Sequence, residues 1–214
     1  MHAFPSERIA LHRSFIEAAT LQRVGQIVYL SFVNPSSSAT FVHATSHAAT
    51  EAMLRQSGVP FTSIRNGMYA DEIPGWFDGE GVCRYPVGDG RLTFSYRPEL
   101  AEAIAVTLTE EGHEGRIYNV VGPEPASMSR LAEIASQVTG RTYRYEPPDR
   151  EEWKAERLAR GRDEEELEAT LSSFDAQRLG ELDIVSGDFR AITGRDPLTL
   201  AGVISELLDE MPLR

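Results

Sequence analysis

The run Ile27-Val28-Tyr29-Leu30-Ser31-Phe32-Val33 decides how this chain is read. Short, β-branched and aromatic, and apolar throughout rather than alternating, it predicts a strand buried on both faces. After the polar, serine-rich stretch Asn34 to Thr40, Val42 to Gln56 predicts a helix with Ser57-Gly58 as its stop signal. Val59-Pro60-Phe61-Thr62-Ser63-Ile64 is the next strand. Strand, long helix and strand make one βαβ unit, and parallel strands covered on both sides explain why neither run alternates.

Working outward, residues 7 to 20 place Ile9, Phe15, Ile16 and Ala19 at helical spacing before the first strand. Asn66 to Gly90 is rich in Gly, Pro and aromatics, with no sustained period, and reads as a long loop of the kind that carries sites. Leu92 to Tyr96 reads as a short strand, Pro98 to Thr109 as a helix opened by proline, and Arg116 to Gly122 as a further sheet strand. Ser127 or Ser129 caps a helix over Ser129 to Val138 that ends at Gly140, and Arg141 to Tyr145 alternates like a small edge strand. From Pro147 to Arg178 charge predominates, with Leu158, Leu167, Leu171 and Phe174 as a thin apolar stripe, which predicts exposed amphipathic helices. Asp163-Glu164-Glu165-Glu166 reads as a solvated helix N-terminus, and Leu198 to Leu208 as a final helix. The expected fold is α/β: a partial Rossmann-like parallel sheet, the second half of a doubly wound fold, over residues 1–146, with a helical C-terminal region over 147–214 packed on its substrate side.

With 214 residues, 41% of them hydrophobic, the chain can bury one substantial core. A net charge of -12 repels a phosphate backbone, so nucleic acid is excluded as an expected partner. No apolar run approaches the roughly 18 residues of a membrane span, and the N-terminus lacks a signal-peptide pattern, so a cytoplasmic location is expected. The one cysteine, Cys83, reads as a buried small hydrophobe, and no metal site is expected. No G-x-G-x-x-G follows any strand, and Gly88-Asp89-Gly90, which precedes one, reads as a tight turn.

The succession Tyr29-Leu30-Ser31, His47-x-x-Thr50-Glu51-x-x-Leu54, Ser57-Gly58-Val59-Pro60-Phe61-Thr62 and Arg65-Asn66-Gly67-Met68-Tyr69 resembles the second half of NmrA-like atypical short-chain dehydrogenase/reductases, particularly the NAD(P)H:quinone oxidoreductase branch. Gly112-His113-Glu114-Gly115-Arg116-Ile117-Tyr118 and the helix with Leu131-Ala132-Glu133 resemble the same branch. The resemblance implies an NADP or NAD cofactor, NADPH favoured, and a small electrophile such as a quinone as substrate. It also implies that a glycine-rich half precedes the segment seen here, so the expectation is a truncated domain: a misplaced start, a remnant, or a domain working in another way.

Ser31 ends its strand where ligands of open parallel sheets bind, and its hydroxyl either contacts a ribose or substrate or is a satisfied strand-end serine. By the resemblance, His47, together with Ser31, fills the catalytic role that a Tyr-x-x-x-Lys pair plays in ordinary members. It would lie beside the nicotinamide ribose and relay a proton near neutrality; the alternative is a surface histidine paired with Glu51 at i,i+4. Ser31, Phe32, His47, Asn66, Gly67 and Tyr69 are the expected cofactor-binding residues, although Gly67 would equally serve a turn. Trp76, Phe77 and Tyr85 either stack on a flat substrate or pack the loop, and Arg65 is an ion-pair partner with no catalytic role. Three functions remain open: a reductase, a non-catalytic dinucleotide sensor, or a fragment that associates, as a homo-oligomer, through a sheet edge left unpaired near Val28 to Ser31.

Overall fold

The computed structural model describes residues 5–207 and 210–211. In chain order these form helix α1 (Pro5–Leu21), strand β1 (Ile27–Phe32), helix α2 (Val42–Ser57), strands β2 (Phe61–Asn66) and β3 (Met68–Tyr69), and a 3₁₀ helix (Ala70–Trp76). Strands β4 (Val82–Cys83), β5 (Arg91–Leu92) and β6 (Phe94–Ser95), helix α3 (Arg97–Thr109) and strands β7 (Ile117–Val120) and β8 (Ala126–Ser127) follow. Helix α4 (Met128–Thr139), strand β9 (Arg144–Tyr145) and helices α5 (Arg150–Ala159), α6 (Glu164–Arg178), α7 (Asp188–Thr193) and α8 (Leu200–Glu206) complete it.

Strands β1, β2 and β7 form a three-stranded parallel sheet in the order β1-β2-β7, with Tyr29 opposite Ser63, Ser31 opposite Arg65 and Ile64 opposite Tyr118. Both faces are covered by helices, yet the strands are not apolar throughout as the sequence reading expected, since Ser31, Thr62, Ser63 and Asn66 are buried polar residues within them. On one face Ile16 and Ala19 of α1 and Leu54 of α2 pack on Ile27 and Phe61. On the other, Leu100 and Ala103 of α3 and Phe189 and Ile192 of α7 pack on Ile64 and Val120. In β1 the Ile27 N–H and, just beyond it, the Val33 N–H bond carbonyls of the β2 side. By the alternation of a parallel ladder, Val28, Leu30 and Phe32 therefore turn their backbone groups to the open edge.

Beyond the strand ends, a large apolar cluster joins Phe32 and Val33 to Leu92, Phe94, Leu131, Leu200, Val203 and Ile204. A smaller one gathers Trp153 of α5 and Leu167, Leu171 and Phe174 of α6 around Val87. Asp149 and Asp163 cap α5 and α6 with their side chains, so the acidic run at 163–166 is a helix N-terminus as expected.

Several boundaries differ from the sequence reading. Phe15 is 62% exposed, because Ile16 and Ala19 define the buried stripe of α1. The single strand expected at 92–96 is two, β5 pairing antiparallel with β8 and β6 parallel with β3. Between them Thr93 turns to Leu182 and Ile184, its N–H donating to one carbonyl and its hydroxyl to the other. Ser127, not Ser129, caps α4. Leu158 is exposed, and the buried anchor of α5 is Trp153. Helix α7 was not anticipated, and Leu208, expected in the last helix, lies outside the described residues, as do residues 1–4 of the N-terminal reading. Among the described residues no helix is long and apolar enough to cross a membrane.

Candidate active site

Helix α2 starts after extended Phe41 and stops at Gly58, whose φ of 74° is the left-handed C-cap that glycine adopts without a Cβ penalty. Its inner face carries His47, Thr50, Glu51 and Leu54, spaced by three and four residues, toward β1. Tyr29, Ser31, Ser63 and Arg65 share the facing side of the sheet, two residues apart along each strand.

Glu51 is 1% exposed, a buried carboxylate that five donors surround. Its Oε1 accepts from Ser31 Oγ at 2.9 Å, Ser63 Oγ at 2.9 Å and Arg65 Nε at 2.8 Å. Its Oε2 accepts from Arg65 Nη2 at 2.7 Å and Arg55 Nη2 at 3.0 Å. Burial alone would raise this carboxyl, but the Arg65 guanidinium and the serine hydroxyls outweigh it and hold Glu51 below its ordinary range.

One turn earlier, His47 Nδ1 lies 2.7 Å from the Tyr29 hydroxyl and Nε2 lies 3.4 Å from Arg8 Nη1. A guanidinium only donates, so Nε2 accepts and Nδ1 carries the proton toward Tyr29. Phe32 stacks on the His47 ring at 6.3 Å, and His12 stands edge-on to Tyr29 at 5.6 Å while bonding the Thr50 hydroxyl at 2.8 Å. Burial first, and then the positive charge of Arg8, lower His47 to about 3. Burial raises the Tyr29 phenol to about 12. The pair is therefore neutral across the physiological range.

These contacts correct three expectations. His47 is not paired with Glu51, whose carboxylate is taken up by the sheet; its partner is Tyr29, which the sequence reading placed in the family motif without giving it a site role. Nor does His47 titrate near neutrality, because a half-buried imidazole beside a guanidinium disfavours its cation. Ser31 is fully buried and spends its hydroxyl on Glu51, which makes it the satisfied strand serine rather than a group open to ligand.

The expected cofactor residues at the next strand end sit together but are engaged in packing. Asn66 is buried and donates from Nδ2 to the Gly67 carbonyl at 2.6 Å. A Cβ on Gly67 would lie 2.2 Å from the Thr93 carbonyl oxygen, so this glycine is required by backbone contact with β6's approach, not by a turn. The Tyr69 ring lies under the Arg97 guanidinium at 4.1 Å. Phe32 belongs to the large apolar cluster. Of the aromatic loop, Phe77 is buried against Tyr143 at 4.8 Å, while half-buried Trp76 and Tyr85 meet edge-on at 6.3 Å and Tyr85 continues to Trp153 and Phe174. That is the loop-packing alternative for Phe77, with Trp76 and Tyr85 partly accessible. Cys83 is buried and its thiol is raised to about 12, as an inert core residue requires. Among the described residues no grouping of His, Cys, Asp and Glu could hold a metal.

No family model matches the chain. It is 31% identical over 207 residues to the NmrA-like family domain-containing oxidoreductase flvB of Aspergillus flavus, covering 93% of this chain and 67% of that protein. The chain belongs to the NmrA-like family. Quinone oxidoreductase 2 of Escherichia coli is 31% identical over 144 residues, 65% of this chain and 50% of that protein. Its complex with NADPH superposes at a TM-score of 0.82 and 27% identity over 92% of this chain and 70% of the other. The Citrobacter sp. triphenylmethane reductase complexed with NADP(H) gives 0.81 and 30% over 96% and 73%. The NmrA-like chain thus has the Rossmann-like α/β fold of these reductases and spans 50% to 67% of the length of these two curated relatives.

Proposed function

We propose that this NmrA-like chain takes part in NAD(P)H-dependent reduction of a small electrophile of the quinone class, with NADPH as the favoured cofactor. The observation that carries this reading is the neutral Tyr29–His47 pair, held on the inner face of α2 beside Phe32, next to the C-terminal ends of β1 and β2 where open parallel sheets bind ligands. NADP(H) complexes of structurally similar reductases support it.

The nicotinamide end of a dinucleotide would lie at the C-terminal strand ends, where ligands of open parallel sheets bind. Of the residues at the strand ends, exposed Asn34 and half-buried Met68 and Tyr69 would border it, while Val33, Asn66 and Gly67 are buried behind them, and Asn34 takes a left-handed φ of 48°, an unusual backbone state for a residue other than glycine. They do not supply a pyrophosphate cradle, since no glycine-rich turn between a strand and a helix N-terminus occurs among the described residues. When bound, the reduced nicotinamide supplies a hydride, which a quinone takes up with one proton to become the hydroquinone. His47 and Tyr29, being neutral, would orient the ribose or substrate by hydrogen bonds, while Phe32 and Phe41, 5.1 Å apart, keep water from that side. Trp76 and Tyr85 would border the flat substrate. The proton would come from solvent, because neither member of the pair releases one near neutrality.

A second reading, a dinucleotide sensor without turnover, is favoured by that same lack of a group titrating near neutrality. Titrating the protein with NADPH by cofactor fluorescence, then adding a quinone and following NADPH absorbance, separates the two. Binding with turnover supports the reductase, and binding without turnover the sensor. Absence of binding at millimolar NADPH refutes both for this chain.

A further inference from the structure

We propose that Glu51 is a positioning residue for His47: by tying α2 to two adjacent strands it fixes the helix register on which the Tyr29–His47 hydrogen bond depends. This rests on the reading of that pair as the orienting group of the site.

The anchoring is directional. Ser31 belongs to β1, and Ser63 and Arg65 to β2; Arg65 lies opposite Ser31 and Ser63 opposite Tyr29, so the three donors to Oε1 span two strands and two register positions. A carboxylate bonded to such a triangle cannot slide along the strands or roll about the helix axis without losing a bond. A shift of α2 by one residue is about 1.5 Å along the axis, enough to carry donors at 2.8–2.9 Å beyond hydrogen-bond range. The same shift would break the 2.7 Å contact between His47 and Tyr29 one turn away, because a helix moves as a rigid body over that length. The contact of Leu54 in the apolar cluster with Ile27 and Phe61 is non-directional and tolerates such a slip. Other polar contacts of α2 on this side, Thr50 with Tyr29 and His12, and Ser46 with Arg8, reach one strand and α1 and do not tie the helix to both strands as Glu51 does.

Stability alone does not account for the arrangement. A buried ion pair seldom outperforms apolar packing of the same shape, and the best-attested use of one is to select a register. Arg55 and Arg65 approach the carboxylate from its solvent and sheet sides, with Arg55 half exposed, so the serines supply the purely internal part of the anchor.

The test uses Glu51→Gln and Ser63→Ala in the full chain, with His47→Gln to assign the imidazole signals. Long-range proton–nitrogen NMR reads the His47 ring directly and needs neither cofactor nor activity. In the parent protein His47 is expected as a single tautomer with no titration between about pH 5 and 8. In both variants the ring nitrogens should average between tautomers, with Ser63→Ala intermediate. If NADPH–quinone turnover is present, Glu51→Gln should lower kcat on the order of 100-fold with little change in the KM for NADPH. Folded variants whose His47 signals match the parent overturn the proposal, whatever their melting temperatures. Should Glu51→Gln fail to fold, Ser63→Ala decides alone. Loss of turnover in every form, parent included, would count against the reductase and leave the NMR result standing on its own.

Discussion

Replacing Arg65 by Met removes the guanidinium that bonds both oxygens of Glu51 and leaves a carboxylate 1% exposed with two serines and one half-exposed arginine. Breaking a buried pair from one side typically costs about 3–5 kcal/mol, since the remaining charge stays desolvated. Arg55 and the hydroxyls still compensate in part, which places this variant near the lower end, about 3 kcal/mol. In a chain of this size that corresponds to a fall in Tm of roughly 6–12 °C. The pH dependence is more diagnostic than the magnitude. In the parent, Glu51 is lowered in the folded state, so it contributes stability above its unfolded pKa that is lost as pH falls through the folded value. In Arg65→Met burial becomes the main influence and raises the folded value above the unfolded one. The variant is then penalised at neutral pH and relieved as Glu51 takes up a proton. The stability gap between the two proteins should therefore be widest near neutrality and shrink on acidification. Urea unfolding followed by the fluorescence of Trp76 and Trp153 at a series of pH values measures this. A gap that does not change with pH, or one below about 1 kcal/mol as for a surface pair, would refute the picture of a buried, charge-compensated Glu51.

Three further outcomes follow from other parts of the fold. Gly67→Ala must displace the Thr93 backbone and should cost more than about 3 kcal/mol, whereas Gly58→Ala, with φ 74° but open space around it, should cost about 1–2 kcal/mol; equal losses on urea unfolding would contradict the close approach at Gly67. Because His47 is lowered from 6.5 to about 3, it contributes stability above pH 6.5 that is lost as pH falls toward 3, so His47→Gln should flatten the acid side of the stability curve, and an unchanged slope would place His47 in water. Asp149→Ala removes the cap of α5 and should cost about 1 kcal/mol, with faster amide exchange at Glu151 and Glu152, whose N–H groups the Asp149 carboxylate accepts.

The parallel sheet was legible in the sequence because 27–33 is a short β-branched and aromatic run and 59–64 a second extended segment, with a helix-length stretch between them, although the buried polar residues Ser31, Thr62 and Ser63 break the apolar pattern expected of strands covered on two faces. Of the two-residue strands from Met68 onward, those at 91–95 and 144–145 overlap segments read as strands, whereas Met68–Tyr69, Val82–Cys83 and Ala126–Ser127 were not legible, since each exists only through pairing with a remote partner, as Val82 and Cys83 pair with Arg144 and Tyr145. Helix α7 was too short for a period to show, although Phe189 and Ile192 are spaced by three and both are buried. In the site, the position of His47 was readable but its partner was not. Two groups at i,i+4 on a helix suggest each other, and only the sheet beneath reveals that Glu51 turns to serines and Arg65 while His47 turns to Tyr29. The two-residue period did hold a usable signal: Tyr29 and Ser31, like Ser63 and Arg65, had to share one face, and so did His47 and Glu51 on the helix above them.

Thr93 carries a consequence for how the chain is made. Its N–H and hydroxyl reach Leu182 and Ile184, and its carbonyl receives the Met68 N–H beside Gly67. During translation the sheet that ends at Val120 can close while Leu182 is still unsynthesised, a wait of several seconds at roughly 5–20 residues per second. Throughout that wait Leu92 and Phe94 lack the neighbours that bury them in the finished protein, so nascent chains paused between those points should be the species that chaperones hold and proteases cut.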